Sequence, residues 1–185
     1  MTTTPVTPAT LTTWNIDPAH SAAEFKVKHM MISNVKGKFS GLSGALTLDE
    51  ADPTRSTAEA SIPLATLSTG DDQRDGHLKS ADFFDAEKFP TLTFKSLGVH
   101  ATAPGELEVT GELTMHGVTR TVTFAVEGPS APGKDPWGNL RVGLSATTKI
   151  NRKDFGLIWN AALETGGVLV GEDVTITLDV QFIKA

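Results

Sequence analysis

Hydrophobic and polar residues alternate along most of the chain, which is typical of β-strands with one face in a core and one in water. The clearest case is residues 106–115, where Leu107, Val109 and Leu113 share one face and glutamates and threonines share the other. With a short segment at 14–16, about nine segments read as strands in this way. The other inward sets are Phe25, Val27 and His29; Ala58, Ala60, Ile62 and Leu64; Leu92 and Phe94; Leu140, Val142, Leu144 and Ala146; and Val174, Ile176, Leu178, Val180 and Phe182.

A two-residue hairpin turn is predicted at His116-Gly117, because glycine supplies the positive φ that such turns require. The turn sets the strand register, since a slip of one residue would expose the apolar face to water. Every inward pair then joins apolar residues or glycine, except the pair that contains Arg120. The predicted pairs are Met115 with Val118, Leu113 with Arg120, Gly111 with Val122, Val109 with Phe124, and Leu107 with Val126.

Three regions depart from the alternation. The phase changes beside Gly41 and Gly44, which predicts a bulge or a strong bend. Residues 70–89 predict one or two short helices, and residues 151–171 predict a long loop with at most one helical turn. Loops of this length commonly form lids or binding segments. We expect Arg152 to pair with Asp154 or with the 70–89 segment.

One-sided strands in this number favour a closed barrel, because closure removes the exposed edges of an open sheet. A two-sheet sandwich fits the same alternation. The inward faces mix phenylalanines with Gly111, Ala58, Ala60 and Ala146, and small residues facing a barrel axis leave space for a ligand. A solid core in which large and small side chains interdigitate is the alternative.

Composition excludes several classes of function. The 16 Lys and Arg against 22 Asp and Glu give a net charge of −6 with no basic run, so nucleic-acid binding is not expected. With no cysteine, disulfides, thiolate catalysis and cysteine-ligated metals are excluded. The five histidines lack metal-ligand spacing, and no nucleophile or phosphate-loop motif is present.

Five stretches closely resemble the YceI-like family of polyisoprenoid-binding proteins, in the same order over residues 14–183. The motifs are WNIDPAHS at 14–21, FKVKHMMISNVKGKF at 25–39, RDGHL at 74–78 with DFF at 82–84 and FPTLTF at 89–94, GELTMHGVT at 111–119, and INRKDFGL at 150–157.

The resemblance implies an all-β fold, an eight-stranded antiparallel lipocalin-like β-barrel with a short helical insertion near residues 70–89. We expect a flexible leader over residues 1–12 and one barrel domain over residues 13–185. The implied function is a soluble binding or carrier protein that holds a polyisoprenoid, which is a prenyl quinone, its precursor or a prenyl chain, in an elongated apolar interior. We do not expect the protein to be an enzyme. The alternatives are a lipid-modifying enzyme in the same barrel and a stress-response interaction module with an incidental ligand.

We expect no catalytic residue, no metal and no cofactor other than the bound polyisoprenoid or isoprenoid quinone. Arg120 and His77 are the candidates for contact with a polar head group, and Arg120 has the alternative of turning to the rim. In the 70–89 segment, Arg74 and Asp75 are expected to tie the insertion to the barrel. The predicted apolar pocket comprises Phe25, Val27, His29, Met31, Phe39, Ile62, Leu78, Phe83, Phe84, Phe94, Leu113, Phe124, Leu144, Phe155, Leu157 and Trp159.

The expected partner is an isoprenoid lipid, and no nucleic acid is expected. We expect no stable membrane insertion and at most transient membrane contact. Whether the protein forms a homodimer is left open by the sequence. The N-terminal stretch has neither the basic region nor the apolar run of a signal peptide. We therefore expect a cytoplasmic location, with a secreted or periplasmic one as the alternative if the precursor is longer.

Overall fold

The predicted hairpin is the best-defined part of the barrel wall. The computed structural model describes residues 10–185. All five predicted pairs are confirmed, from Met115 opposite Val118 to Leu107 opposite Val126. At the turn both His116 (φ 53°) and Gly117 (φ 70°) have positive φ, as a turn matched to the twist of its strands requires.

The described chain contains eleven antiparallel strands, one short α-helix and four short 3₁₀ helices. The helix α1 is Asp72–Lys79, inside the insertion that the sequence predicts. The strands are β1 (Leu11–Ile16), β2 (Ala22–His29), β3 (Ser33–Phe39), β4 (Ser43–Asp49), β5 (Thr57–Pro63), β6 (Thr91–Ala103), β7 (Glu106–Met115), β8 (Val118–Glu127), β9 (Gly133–Lys134), β10 (Leu140–Asn151) and β11 (Val170–Lys184).

The sheet closes into an eight-stranded barrel, which confirms the predicted fold and settles the choice against a sandwich. β11 pairs with β10 on one edge and with β1 and β2 on the other. β1 and β2 lie end to end along β11, and β3 and β4 lie end to end beside them, so each couple fills one position in the wall. The β3–β4 break falls at the predicted bend, where Gly41 has φ 68° and Gly44 has φ 144°.

Residues 1–9 of the predicted leader lie outside the described residues. Leu11 and Thr12 belong to β1 and pair with Asp49 and Leu48, so the barrel begins two residues before the predicted boundary. Across residues 10–185 no helix is long and apolar enough to cross a membrane.

Four connections meet at one end of the barrel, which we call the lid end. They are the β2–β3 turn at 30–32, the insertion at 64–90, the His116-Gly117 turn and the late segment at 152–169. The backbone N–H of Met30 donates to Leu169 O (2.7 Å), and His116 Nδ1 lies 3.0 Å from Phe155 O. The two irregular segments that the sequence sets apart therefore cover the same end.

Candidate functional site

The barrel encloses an apolar cavity of about 600 Å³. Its wall is built from the inward residues of nearly every strand, because alternation turns every second side chain of a strand toward the axis. The cavity extends to Pro53 and Pro129 at the end opposite the lid, and to α1 and the late segment at the lid end. A cavity of this size lies within the range of roughly 300–1,000 Å³ that is typical of small-molecule sites.

The interior is hollow rather than solid. Phe94 of β6 is flanked by Ala60 of β5 and Leu113 of β7, yet its side chain is only half-buried. Phe25 and Leu144 also face inward and keep accessible surface. In a close-packed core such positions would be fully covered, so these side chains border open space.

Small residues contribute to this space unequally. Ala58, Ala60 and Ala146 line the cavity, as the sequence argument expects. Gly111 does not, because a Cβ there would lie 2.4 Å from Cζ of Phe94. The phenylalanine ring occupies the volume that the glycine leaves, so at this position the interdigitated packing is the correct reading.

Most of the residues predicted for the pocket line the cavity. They are Phe25, Val27, His29, Phe39, Ile62, Leu78, Phe83, Phe84, Phe94, Leu113, Phe124, Leu144, Leu157 and Trp159, together with the head-group candidate His77.

Three predicted residues lie outside the cavity. Met31 is 66% exposed, because it occupies the β2–β3 turn rather than a strand. Phe155 is buried in the core at the start of the late segment and does not reach the cavity. Arg120 is exposed near the hairpin end, and its Nε donates to Asp154 O (3.0 Å), so it turns to the rim and is not placed to meet a head group in the cavity.

His77 is held at the lid end between polar and aromatic partners. Its Nε2 lies 2.9 Å from Oδ2 of Asp82. Its ring stands edge-on to Phe83 (5.1 Å between centroids) and to Trp159 (4.7 Å). His77 thus joins α1 to the late segment above the cavity.

Arg74 and Asp75 hold α1 on Thr69, inside the same connection, rather than directly on a barrel strand as expected. The link to the barrel is the neighbouring Ser68, whose backbone bonds to Lys38 of β3. Asp75 is buried and accepts from the backbone N–H of Thr69 (2.8 Å) and from its hydroxyl, and this hydroxyl bond lowers the pKa of Asp75. Arg74 Nη2 donates to Thr69 O (2.9 Å) and its Nε to the Thr69 hydroxyl (2.8 Å). These bonds fix α1 on the segment that follows β5.

Arg152 is the most buried charge in the cavity wall, with 4% exposure. The expected pairing with Asp154 or with the 70–89 segment is wrong, since its guanidinium bonds to backbone carbonyls instead. Nε donates to Gly171 O (2.8 Å), Nη1 to Leu157 O (2.6 Å) and Trp159 O (2.9 Å), and Nη2 to Val170 O (3.4 Å). Burial lowers the pKa of Arg152, and the Glu172 charge opposes that shift.

Comparison with known proteins identifies the family. The family model for the YceI-like domain matches residues 14–182. The chain belongs to the YceI-like family. It is also 38% identical over 172 residues to UPF0312 proteins of Staphylococcus aureus, among them those of strains N315 and MW2, covering 93% of this chain and 98% of each relative.

Solved structures share the YceI-like barrel. The Campylobacter jejuni YceI protein is 29% identical, with a TM-score of 0.72 over 86% of this chain and 91% of that one. BcnA of Burkholderia cenocepacia is 24% identical, with a TM-score of 0.76 over 90% and 98%. A polyisoprenoid binding domain from Saccharophagus degradans is 17% identical, with a TM-score of 0.64 over 95% and 99%. The last two show the fold alone.

The YceI-like cavity has lining residues that the sequence prediction of the pocket omits. The alternation in β7 and β11 already turns these side chains inward, so the sequence carries the signal for them. They include Leu107, Val109, Val174, Ile176 and Leu178. Arg152 is a different case, because a charge satisfied by carbonyls leaves no pattern in the sequence.

Proposed function

We propose that this YceI-like protein binds and carries a long isoprenoid lipid, which is a prenyl quinone, its precursor or a prenyl chain. The observation that carries the proposal is the apolar cavity along the inside of a closed barrel. The related solved domain from Saccharophagus degradans is described as polyisoprenoid-binding, which is consistent with such a ligand in the same fold.

The physics of burial favours a long apolar tail. Each buried CH₂ contributes roughly 0.8 kcal/mol, so a tail of about 40 carbons would nominally exceed 30 kcal/mol. Non-covalent affinities saturate near 20 kcal/mol, so ordering costs and competition from the membrane must remove most of this energy. An apolar tunnel therefore needs no precise polar recognition of the tail, and specificity comes from tunnel length and the head group.

We place the head group at the lid end. The polar side chains of the cavity wall there include Arg74, His77 and Arg152. Of the two head-group candidates, His77 is the one that lines the cavity. The opposite end is bordered by Pro53 and Pro129, which suit the tip of the tail.

We also propose that the site binds its ligand without transforming it. The polar groups at the lid end are already committed to structural bonds, with His77 held by Asp82 and Arg152 by four carbonyls. A general acid or base would need reach to substrate without disrupting such bonds.

The test is ligand identification, by native mass spectrometry and organic extraction of protein purified from an isoprenoid-rich host. Ala60→Phe narrows the cavity, so we expect it to lose most of the ligand that the wild type retains. Ala125→Phe adds the same ring on the exposed face of β8 and should retain the ligand in full. A wild type that takes up no prenyl quinone or prenyl chain would refute the proposal, and turnover of the bound lipid would favour the enzyme alternative.

A further inference from the structure

Three consecutive apolar residues project into solvent at the tip of the β2–β3 hairpin. Met30 is 42% exposed, Met31 66% and Ile32 79%. Met30 bonds to Leu169, next to Val168, which is itself 36% exposed. The tip therefore forms an apolar patch at the lid end. Single exposed apolar residues are normal on protein surfaces, but a contiguous patch marks a contact site.

The turn that carries this patch is strained. Met30 and Met31 have φ of 51° and 58°, and the backbone N–H of Ile32 donates to His29 O (3.1 Å). Turns with positive φ at both central positions strongly favour Asn-Gly or Asp-Gly, because a side chain destabilises the left-handed conformation. Methionines at both positions work against stability of the turn, which is typical of residues retained for a contact.

The outer face of the same hairpin is basic. Lys26 lies opposite Lys36, and Lys38 lies opposite Glu24, with Lys28 nearest the tip. Four lysines against one glutamate give this hairpin a charge of +3, in a chain whose net charge is −6. All four lysines are exposed, and none of them forms an ion pair with a carboxylate within residues 10–185.

An apolar tip flanked by lysines is complementary to the interface of an anionic bilayer. Apolar side chains bury at the boundary between head groups and acyl chains, and lysines near the surface attract anionic lipids. Lys26 and Lys36 each lie four residues from the tip, about 13 Å at the rise of a strand. If the hairpin is tilted, their long side chains would bring the ammonium groups to the phosphates.

We propose that the β2–β3 hairpin docks the lid end of the barrel reversibly on an anionic phospholipid bilayer. His29, next to the tip, and Leu169 and Val170, beside it, all line the cavity. Docking therefore brings the lid end of the cavity to the membrane surface, where a lipid enters or leaves. The docking is independent of the ligand, whereas the exchange of an isoprenoid rests on the proposed function.

The experiment is vesicle flotation of the full chain, with phosphatidylcholine vesicles that contain or lack phosphatidylglycerol. The tip variant is Met30→Asn with Met31→Gly and Ile32→Ser, and the charge variant is Lys26→Gln with Lys28→Gln and Lys36→Gln. The control for the tip variant is Leu97→Ser. Leu97 lies in β6 and is 61% exposed, close to the 66% of Met31. The matched charge control is Lys95→Gln with Lys134→Gln and Lys184→Gln, which changes the net charge equally.

We expect the wild type to bind the anionic vesicles and to bind neutral vesicles weakly. The charge variant should lose about tenfold or more in binding to anionic vesicles, since each surface lysine contributes roughly a fivefold factor. The tip variant should lose about as much, because it removes the apolar side chains that bury in the bilayer interface. The two controls should bind as the wild type does. Asn-Gly suits the turn better than two methionines, so the tip variant should melt no lower than the wild type, which separates lost docking from lost folding.

Equal vesicle binding by the tip variant and the wild type would overturn the inference, as would a wild type that ignores anionic vesicles. A wild-type dimer that the tip variant splits, without vesicle binding, would assign the patch to a second copy of the chain and also overturn it. Uptake of a prenyl quinone is measured separately, in detergent solution. Failure of that uptake would sink the proposed function and leave the docking result standing.

Discussion

The imidazole of His77 stands edge-on to the indole of Trp159, with 4.7 Å between the ring centroids and 86° between the ring planes. His77 belongs to α1 and Trp159 to the late segment, so the contact joins two segments that are far apart in sequence. Phe83 packs 5.4 Å from the same indole and completes a cluster of three rings. Aromatic packing between the insertion and the late segment thus contributes to closure of the lid end, beside the backbone bond from Met30 to Leu169.

Removing the indole should open this closure. In Trp159→Ala we expect a bound isoprenoid to dissociate roughly five- to tenfold faster, because each aromatic pair contributes about 1 kcal/mol. The measurement is transfer of a prenyl quinone to acceptor vesicles. Trp137→Ala is the control, since Trp137 is 81% exposed in the turn between β9 and β10. Equal release rates in the two variants would contradict a closing role for the cluster.

The two arginines near the late segment should differ sharply in their effect on stability. Arg152→Met leaves the carbonyls of Leu157, Trp159, Val170 and Gly171 without this donor, and we expect a loss of about 3 kcal/mol or more in the free energy of unfolding. Arg120→Met removes one bond at an exposed site and should cost under about 1 kcal/mol. Urea unfolding followed by fluorescence compares the two. Similar losses would show that the carbonyl cluster around Arg152 is not what holds the segment.

Two glycines of the β6–β7 pair offer a matched test of packing. Gly111→Ala brings a Cβ to 2.4 Å from Cζ of Phe94 and 2.5 Å from Lys95 O, so we expect a loss of about 1–3 kcal/mol. The displaced ring would move into the cavity and lower ligand occupancy. Gly98→Ala meets nothing within 4 Å and should be near neutral. Thermal melts and extracted ligand are the measurements, and a neutral Gly111→Ala would show that Phe94 relocates freely.

Asp17 should account for part of the acid sensitivity of the fold. The Arg141 guanidinium (2.6 Å) and then His20 (2.7 Å) lower the pKa of Asp17 from 3.8 to about 2. Because the folded-state pKa is depressed, this stabilisation is complete above the ordinary pKa and is lost as the pH falls toward 2. Asp17→Asn should cost about 2 kcal/mol at pH 7 and flatten the loss of stability in acid.

The control for Asp17 is Asp173→Asn, which removes an exposed pair with Lys149 (3.6 Å). Such pairs contribute about 0–1 kcal/mol, so its unfolding free energy should stay near that of the wild type. Urea unfolding at several pH values compares the two variants. An Asp17→Asn protein with an unchanged acid slope would show that other carboxylates dominate.

The register of the β7–β8 hairpin was predictable because two independent constraints agree there. The turn at His116-Gly117 and the alternation on both strands each demand the same pairs. Where only one constraint acts, prediction weakens. Alternation places Arg120 inward, but the strand ends nearby and the long side chain reaches the rim. Met31 follows an inward-facing set, yet the positive φ of the turn directs it to solvent.

Features that depend on contacts between distant segments leave no pattern in the sequence. Arg152 is an ordinary arginine in the sequence, and only the folded late segment shows the carbonyls that gather around it. The contact of His77 with Trp159 joins residues that are 82 positions apart along the chain, and alternation within single strands does not reveal a contact of such long range. The hairpin lysines are visible in the sequence, but their common face depends on the pairing of β2 with β3.

The position of β11 also determines when the barrel closes during folding. This strand supplies both seams of the barrel, since it pairs with β10 on one edge and with β1 and β2 on the other. Trp14 meets Lys184, so one seam joins the two ends of the domain. During synthesis the cavity has no closed wall until β11 emerges from the ribosome, and contacts of such long range form slowly. A nascent chain therefore cannot load a lipid before translation of the barrel is complete.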